Sequence, residues 1–276
     1  MIPQAAITAW RNIAPWASPD QVEHDLILSR AICALYAHPV ISENLVFRGG
    51  TALHKLFFSK AGRFSEDLDF VQTRAEPIKK TVDAIRDCLD GWLGNPSWKQ
   101  NQGRFTLNYR FTTEIEPIIT RKVKIEINTR EHINVQPHIT IPYKINNSWF
   151  QGQSDVITYS IEELLGTKLR ALFQRKKGRD LYDFWYVMQY QKELDGLTII
   201  SIFEKYLHNE NRVVSRAEFE KNLALKQQSL VFNEDIKPLL SAEQVNTYVV
   251  QDAYQLLFEK FLPKLQGEPW KGFDVT

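Results

Sequence analysis

The stretch LVFRGGTALHKLFFSKAGRFSEDLDF, residues 45–70, decides the fold prediction because it ends with two carboxylates set two positions apart. Side chains of a β-strand point alternately to its two faces. If this end of the stretch is a strand, Asp67 and Asp69 share one face while Leu68, between them, points into the core. Neighbouring carboxylates repel each other, so the pair predicts a shared cation. Mg²⁺ prefers hard oxygen ligands of this kind.

A Gly-Gly-Thr turn follows the strand-like start of the stretch and precedes a predicted short helix. Gly49 and Gly50 have no side chain, so together with Thr51 they let backbone N–H groups approach a phosphate. A phosphate cradle followed by a carboxylate pair predicts metal-assisted chemistry on a nucleotide. Lys55 and Ser65, which lie near the two parts, complete the candidate nucleotide-binding residues.

Neither half of this pattern is specific by itself. A Gly-Gly pair is usually only a turn, and an Asp-x-Asp is usually a solvated strand edge or turn. The spaced combination, with Arg48 and Arg63 close to its two parts, favours a functional site over a chance occurrence.

Composition limits the class of protein. The 276 residues, 43% of them hydrophobic, can form one large domain or two small ones. The net charge of +1 gives no overall attraction to nucleic acid, so any such contact must come from a local patch. The two cysteines, Cys33 and Cys88, lack metal-ligand spacing and predict reduced thiols in a cytoplasmic protein. We find no signal-peptide pattern or membrane-spanning apolar run, so we expect no membrane association.

The apolar period changes to two between residues 104 and 143, which predicts antiparallel strands. In the segment RKVKIEIN, residues 121–128, the side chains of Lys122, Lys124 and Glu126 lie opposite the apolar set. An isolated glutamate on such a face is usually a surface charge.

The C-terminal half has helical periodicity. Lys168 lies on or beside the apolar stripe of a predicted helix that starts after Ser160. It can extend past the core edge with its head in water, or point into a cleft as a point charge for a triphosphate. Asp180 and Asp183, three residues apart, share one face of the next predicted helix.

The segments FRGGTALHKL, RFSEDLDF and TKLRALFQRKKGRDLYDFW resemble the AbiEii/AbiGii family of nucleotidyltransferase toxins, within the DNA polymerase β-like nucleotidyltransferase superfamily. That superfamily carries a glycine turn, an Asp-x-Asp pair and a third carboxylate on a later strand. The resemblance makes Glu126 the candidate third carboxylate, although many members have Asp there. It implies that Asp67, Asp69 and Glu126 hold Mg²⁺ or Mn²⁺.

The resemblance also implies roles for the C-terminal half. Lys168 would bind the nucleotide and neutralise developing charge, and Asp180 would be catalytic or orient the site. Asp183 could instead be only a helix-stabilising charge. Whether Glu126 or Asp180 acts as the base stays open.

The implied fold is α+β, with a small mixed or antiparallel nucleotidyltransferase sheet flanked by helices and a mainly helical C-terminal half. Residues 1–155 would form the core domain, and residues 156–276 would form a helical domain that completes the active site. The implied activity moves a nucleoside monophosphate from an NTP to an acceptor hydroxyl, with RNA, such as the 3′ end of tRNA, as acceptor. The implied biology is a toxin with a cognate antitoxin, acting in phage defence.

Two other functions stay open. A glycosyltransferase also uses an Asp-x-Asp to hold a metal and a nucleotide sugar, but this class does not explain the glycine turn. A nucleotide-sensing or partner-binding module with an inactive site is the second alternative, and the nearly complete set of charged residues argues against it.

Overall fold

All seven strands in the described part of the chain belong to one mixed sheet. The computed structural model describes residues 2–191 and 193–272. The strands are β1 (Leu45–Arg48), β2 (Asp67–Gln72), β3 (Ser97–Asn101), β4 (Arg104–Thr112), β5 (Thr120–Asn128), β6 (Ile139–Asn146) and β7 (Gln151–Thr158). Their spatial order is β3-β4-β5-β2-β1-β7-β6. β2 runs parallel to β5 and β1 parallel to β7, while the other neighbours are antiparallel.

The sheet belongs to the first of two units, Met1–Ser160 and Ile161–Thr276. The helices of the first unit are α1 (Gln4–Trp10), α2 (Pro19–Tyr36), α3 (Pro39–Asn44), α4 (Gly49–Leu56) and α5 (Lys79–Leu93). α2 packs against β5, β6 and β7, and α5 packs against β4. The predicted mixed sheet with flanking helices is therefore confirmed.

Alternation along β2 and β5 builds the core of the first unit. Leu68 and Phe70 of β2 and Ile125 and Ile127 of β5 are buried. The residues between them carry charge or polar groups and are half-buried. One face of these strands is thus apolar, and the opposite face is free to carry chemistry.

The described residues of the second unit form helices and no strands. The helices are α6 (Ile161–Gln174), α7 (Gly178–Tyr190), α8 (Gly196–Asn209), α9 (Arg216–Gln227), α10 (Leu230–Glu234), α11 (Ala242–Thr247) and α12 (Val250–Leu256), followed by a π-helical turn, Leu257–Phe261. Two 3-10 turns, Lys237–Leu239 and Leu262–Lys264, complete the set. None of the helices described in either unit has the length and apolarity that crossing a membrane requires.

Candidate active site

The register between β2 and β5 brings the acidic side chains together. Asp67 lies opposite Lys124, and Asp69 lies opposite Glu126, on two parallel neighbouring strands. Because side chains alternate along each strand, these four point to the same face. The sequence predicted the shared face of the two aspartates, and pairing with β5 adds the glutamate and a lysine. We call these four residues the acidic face.

Two basic side chains partly neutralise the acidic face. Lys124 Nζ lies 2.8 Å from Glu126 Oε2 and 3.6 Å from Asp67 Oδ2. Arg104 Nε, from β4, lies 3.1 Å from Glu126 Oε1. The carboxylates of Asp67 and Glu126 are therefore held by cations of the chain itself, whereas Asp69 forms no ion pair with any residue described.

The pKa of Asp69 is raised above its ordinary value. Burial is the main cause, and the charges of Asp67 and Glu126 add to it, while Arg48 and Lys124 act in the opposite direction. Burial lowers the pKa of Lys124, but its hydrogen bond to Glu126 and the charge of Asp67 outweigh this and raise it. Ionising Asp69 beside the other two carboxylates is thus costly unless positive charge arrives.

The donor set of the acidic face fits Mg²⁺ or Mn²⁺ in its chemistry. It offers carboxylate oxygens, which are the ligands these hard cations prefer, on two rigid strands. Among the residues described, no three His, Cys, Asp or Glu side chains are already arranged as a metal site. Lys124 bridges Asp67 and Glu126, so a bound cation would compete with its ammonium group.

The helix α4 begins at Gly49 itself, whereas the sequence predicted a separate turn over Gly49, Gly50 and Thr51 before a helix. Gly49 has a φ of +82°, which lets the chain pass from β1 directly into the helix. Its N-cap residue, Arg48, makes no capping bond with its side chain. The first N–H groups of a helix lack helical acceptors and attract negative charge. The predicted phosphate cradle is therefore a helix N-terminus.

Thr51 ties this helix to the strand that carries the aspartates. Its Oγ1 donates to the backbone oxygen of Asp67 over 2.6 Å and lies 2.7 Å from Ser65 Oγ. Thr51 is buried, so both predicted nucleotide-binding hydroxyls, Thr51 and Ser65, already bind each other and help to position Asp67.

The side chain of Lys55, which the sequence predicts to bind the nucleotide, is paired with a carboxylate of α2. Its Nζ is 2.8 Å from Asp25 Oδ1 and 2.9 Å from Ser29 Oγ, both on α2, and the ion pair is buried. The indole N–H groups of Trp10 and Trp16 donate to the same carboxylate. The side chain of Lys55 thus completes a polar network inside the first unit, and its placement does not support nucleotide contact.

In the second unit, Lys168 is buried between two carboxylates. Its Nζ lies 2.6 Å from Asp183 Oδ2 and 3.2 Å from Asp180 Oδ1, and the lysine side chain is 8% exposed while both aspartates are 0% exposed. Arg175 donates two hydrogen bonds to Asp180, of 2.7 and 2.8 Å. Asp183, predicted as a possible helix-stabilising charge, is instead a full member of this buried network.

The pKa of Asp180 is lowered despite its burial. Burial acts to raise the pKa, but the charge of Lys168 and the hydrogen bonds and charge of Arg175 outweigh it. Asp180 is therefore ionised at neutral pH and committed to two cations.

The candidate residues thus fall into two groups. Asp67, Asp69 and Glu126 converge with the N-terminus of α4 in the first unit, and Lys168 and Asp180 pair in the second. Sequence reasoning did not identify Lys124 or Arg104 as site residues. Both follow the period-two pattern that singled out Glu126, and this alternation was the signal available for finding them.

The chain resembles known proteins in sequence and in fold. One family model, described as the nucleotidyl transferase AbiEii toxin of a type IV toxin–antitoxin system, matches residues 30–260. The chain is similar to the nucleotidyltransferase toxin MenT4 from Mycobacterium tuberculosis H37Rv, with 19% identity, a TM-score of 0.67, and coverage of 96% of this chain and 92% of that one. It is also similar to a protein from H. pylori described as a candidate nucleotidyltransferase, with 19% identity, a TM-score of 0.52, and coverage of 91% and 100%. These two likenesses show a shared fold. No curated protein sequence matches the chain significantly.

Proposed function

Because this chain belongs to the AbiEii family of nucleotidyl transferase toxins of type IV toxin–antitoxin systems, we propose that its acidic face transfers a nucleoside monophosphate from an NTP to a hydroxyl of RNA. Membership in the family makes the chain a nucleotidyltransferase and implies an NTP substrate and an antitoxin partner. The observation that carries the proposal is the register that sets Asp69 opposite Glu126 and beside Asp67.

Asp67, Asp69 and Glu126 are the residues that would hold Mg²⁺ or Mn²⁺. When bound, the ion supplies positive charge that neutralises the phosphates of the NTP. The raised pKa of Asp69 and the mutual repulsion of the three acids support this assignment, since a divalent cation relieves both.

The helix N-terminus at Gly49 and Gly50 provides N–H groups for the NTP phosphates. Thr51 acts as a positioning residue, since its hydroxyl holds the strand at Asp67. Fixed donors and carboxylates of this kind lower the barrier by placing the substrate and by stabilising charge without reorganisation.

We assign the orientation or deprotonation of the acceptor hydroxyl to Glu126. Asp180, the other candidate, has a lowered pKa and is bonded to Lys168 and Arg175, so it is a weak proton acceptor. The carboxylate of Asp180 instead balances the charge of Lys168. The proposal also includes the 3′ end of tRNA as acceptor and a function in phage defence.

The test incubates the protein with labelled NTPs, Mg²⁺ and total RNA. We expect label on RNA with the wild type and none with Asp67→Asn or Asp69→Asn. The control is Asp83→Asn, an exposed aspartate of α5 that pairs with Lys79, and this variant should label RNA as the wild type does. Label that persists in both site variants would reject the proposal. Tight NTP binding by the wild type without transfer would instead indicate a nucleotide-sensing module.

A further inference from the structure

A cleft of about 370 Å³ opens in the first unit beside Asp67. It lies where β2 and β5 begin and β4 ends, and its walls include Arg110, Lys122 and His24. The N-terminus of α4 lies at Asp69, since Arg48 is paired with Asp69 in the sheet. The cleft therefore adjoins the other member of the aspartate pair.

Arg110 and Lys122 give this cleft unbalanced positive charge. They lie directly opposite each other on β4 and β5, and both are exposed. Like charges in this position destabilise a sheet. Neither side chain forms an ion pair or hydrogen bond with any residue that the structure describes. Further along the same face, Lys124 and Arg104 both pair with Glu126, so the two cations of the cleft are those that lack an anion.

His24 forms a buried part of the cleft wall, where its ring contacts Phe64 and Phe111. It lies on α2, is 2% exposed, and neither of its ring nitrogens has a hydrogen-bond partner. Buried polar groups are nearly always hydrogen-bonded. Burial lowers the pKa of His24 to about 3, and the charge of Arg121 adds to this. The ring is therefore neutral, and both of its nitrogens are buried away from the open space of the cleft, so His24 shapes the wall without adding charge.

The other charges of the cleft are already balanced. Arg121 is paired with Asp20 and lies 3.6 Å from Glu66 Oε1. An incoming anion therefore meets a glutamate that is partly neutralised and two cations that are not.

We propose that this cleft binds a backbone phosphate of the acceptor RNA, held by the side chains of Arg110 and Lys122. The inference rests on the proposed function and names where the acceptor binds. The NTP phosphates would meet the helix N-terminus beside Asp69, and the acceptor would approach from the side of Asp67. The reacting groups then come from two directions to the carboxylates, as a transfer between two bound substrates requires.

The experiment compares Arg110→Gln, Lys122→Gln and the double variant with Lys80→Gln, a matched change of an exposed lysine on α5. Two quantities are measured: the concentrations of total RNA and of NTP that give half-maximal transfer, and the binding of a fluorescent single-stranded RNA oligonucleotide at several salt concentrations. We expect the double variant to need about ten-fold more RNA and no more than two-fold more NTP. For RNA binding by the double variant, the slope of log affinity against log salt concentration should be shallower, by the amount expected for the loss of about one to two phosphate contacts.

The outcomes separate the two proposals. An RNA requirement for the double variant within two-fold of that of Lys80→Gln would overturn the cleft proposal. A raised NTP requirement with an unchanged RNA requirement would also overturn it and would assign the cleft to the NTP phosphates. Absence of transfer in the wild type would overturn the proposed function, and oligonucleotide binding would still test the cleft.

Discussion

Gly49 and Asp69 are in such close contact that position 49 cannot hold a side chain. A β-carbon there would lie 2.6 Å from Asp69 Oδ2, and the residue has a φ of +82°. Helix N-terminus and carboxylate therefore meet only because one residue lacks a side chain.

We predict that Gly49→Ala lowers the transfer rate about 100-fold, because displacement of a reacting group by ~1 Å has effects of this size. The strained backbone should also reduce the free energy of unfolding by about 1–2 kcal/mol. Gly91→Ala is the control, since a β-carbon at that exposed helical position meets nothing within 4 Å. It should keep full activity and stabilise by about 0.5–1 kcal/mol. Equal transfer rates in the two variants would contradict the steric argument.

The buried pairing of Lys168 predicts a large loss of stability on its removal. Lys168→Met leaves Asp180 with only Arg175 and removes a 2.6 Å partner from Asp183. Breaking a buried ion pair costs about 3–5 kcal/mol, which urea denaturation would measure. Lys79→Met removes a lysine whose side chain is 84% exposed and should unfold as the wild type does. If Lys168→Met lost as little free energy of unfolding as this control, the buried network around Lys168 would contribute little to stability.

Acid should remove the stabilisation that Asp180 provides. Its pKa in the folded chain lies below the ordinary value of 3.8, so the contribution is complete above that value and is lost as the pH falls through the folded pKa. We expect the wild type to be more stable than Asp180→Asn at pH 7, and we expect this difference to shrink as the pH falls below 3.8. Urea denaturation of both proteins across this range is the measurement. A difference that does not change with pH would disprove the assignment.

The contact between Lys55 and Asp25 predicts a structural defect without a binding defect. Lys55→Met should reduce the free energy of unfolding by about 3–5 kcal/mol, since Asp25 is left buried with one cation fewer. NTP affinity of the folded variant, measured by calorimetry, should stay within about two-fold, a difference of under 1 kcal/mol. Asp25→Asn should cause a comparable loss of stability. A ten-fold loss of NTP affinity in a stable Lys55→Met protein would restore the nucleotide-binding role predicted from the sequence.

The alternation of β2 made half of the acidic face predictable. A period of two decides which side chains share a face, so Asp67 and Asp69 could be assigned together from the sequence. The same rule grouped Lys124 with Glu126 along β5. The pairing of β2 with β5 could not be read in this way, because strand neighbours in a sheet depend on long-range contacts that the period of one strand does not report.

Long-range partners account for the other differences. Lys55 lies close to the glycine segment in sequence, which suggested a nucleotide contact, but its carboxylate partner is on α2. Asp183 could be placed on a helix face without any sign that Lys168 lies 2.6 Å away. The start of α4 at Gly49 depends on a positive φ angle, which glycine permits but which its presence in a sequence does not predict.

The parallel pairing of β2 with β5 has a consequence for the cell that makes this toxin. The hairpin of β3 and β4 lies between these strands in the chain, so a polypeptide whose synthesis stops before β5 has its aspartates but lacks Glu126 and the lysine beside it. Under the proposed function, incomplete translation products, or fragments cut in that interval, carry two of the three proposed carboxylates and should be inactive. Only chains elongated past residue 128 contain the whole acidic face.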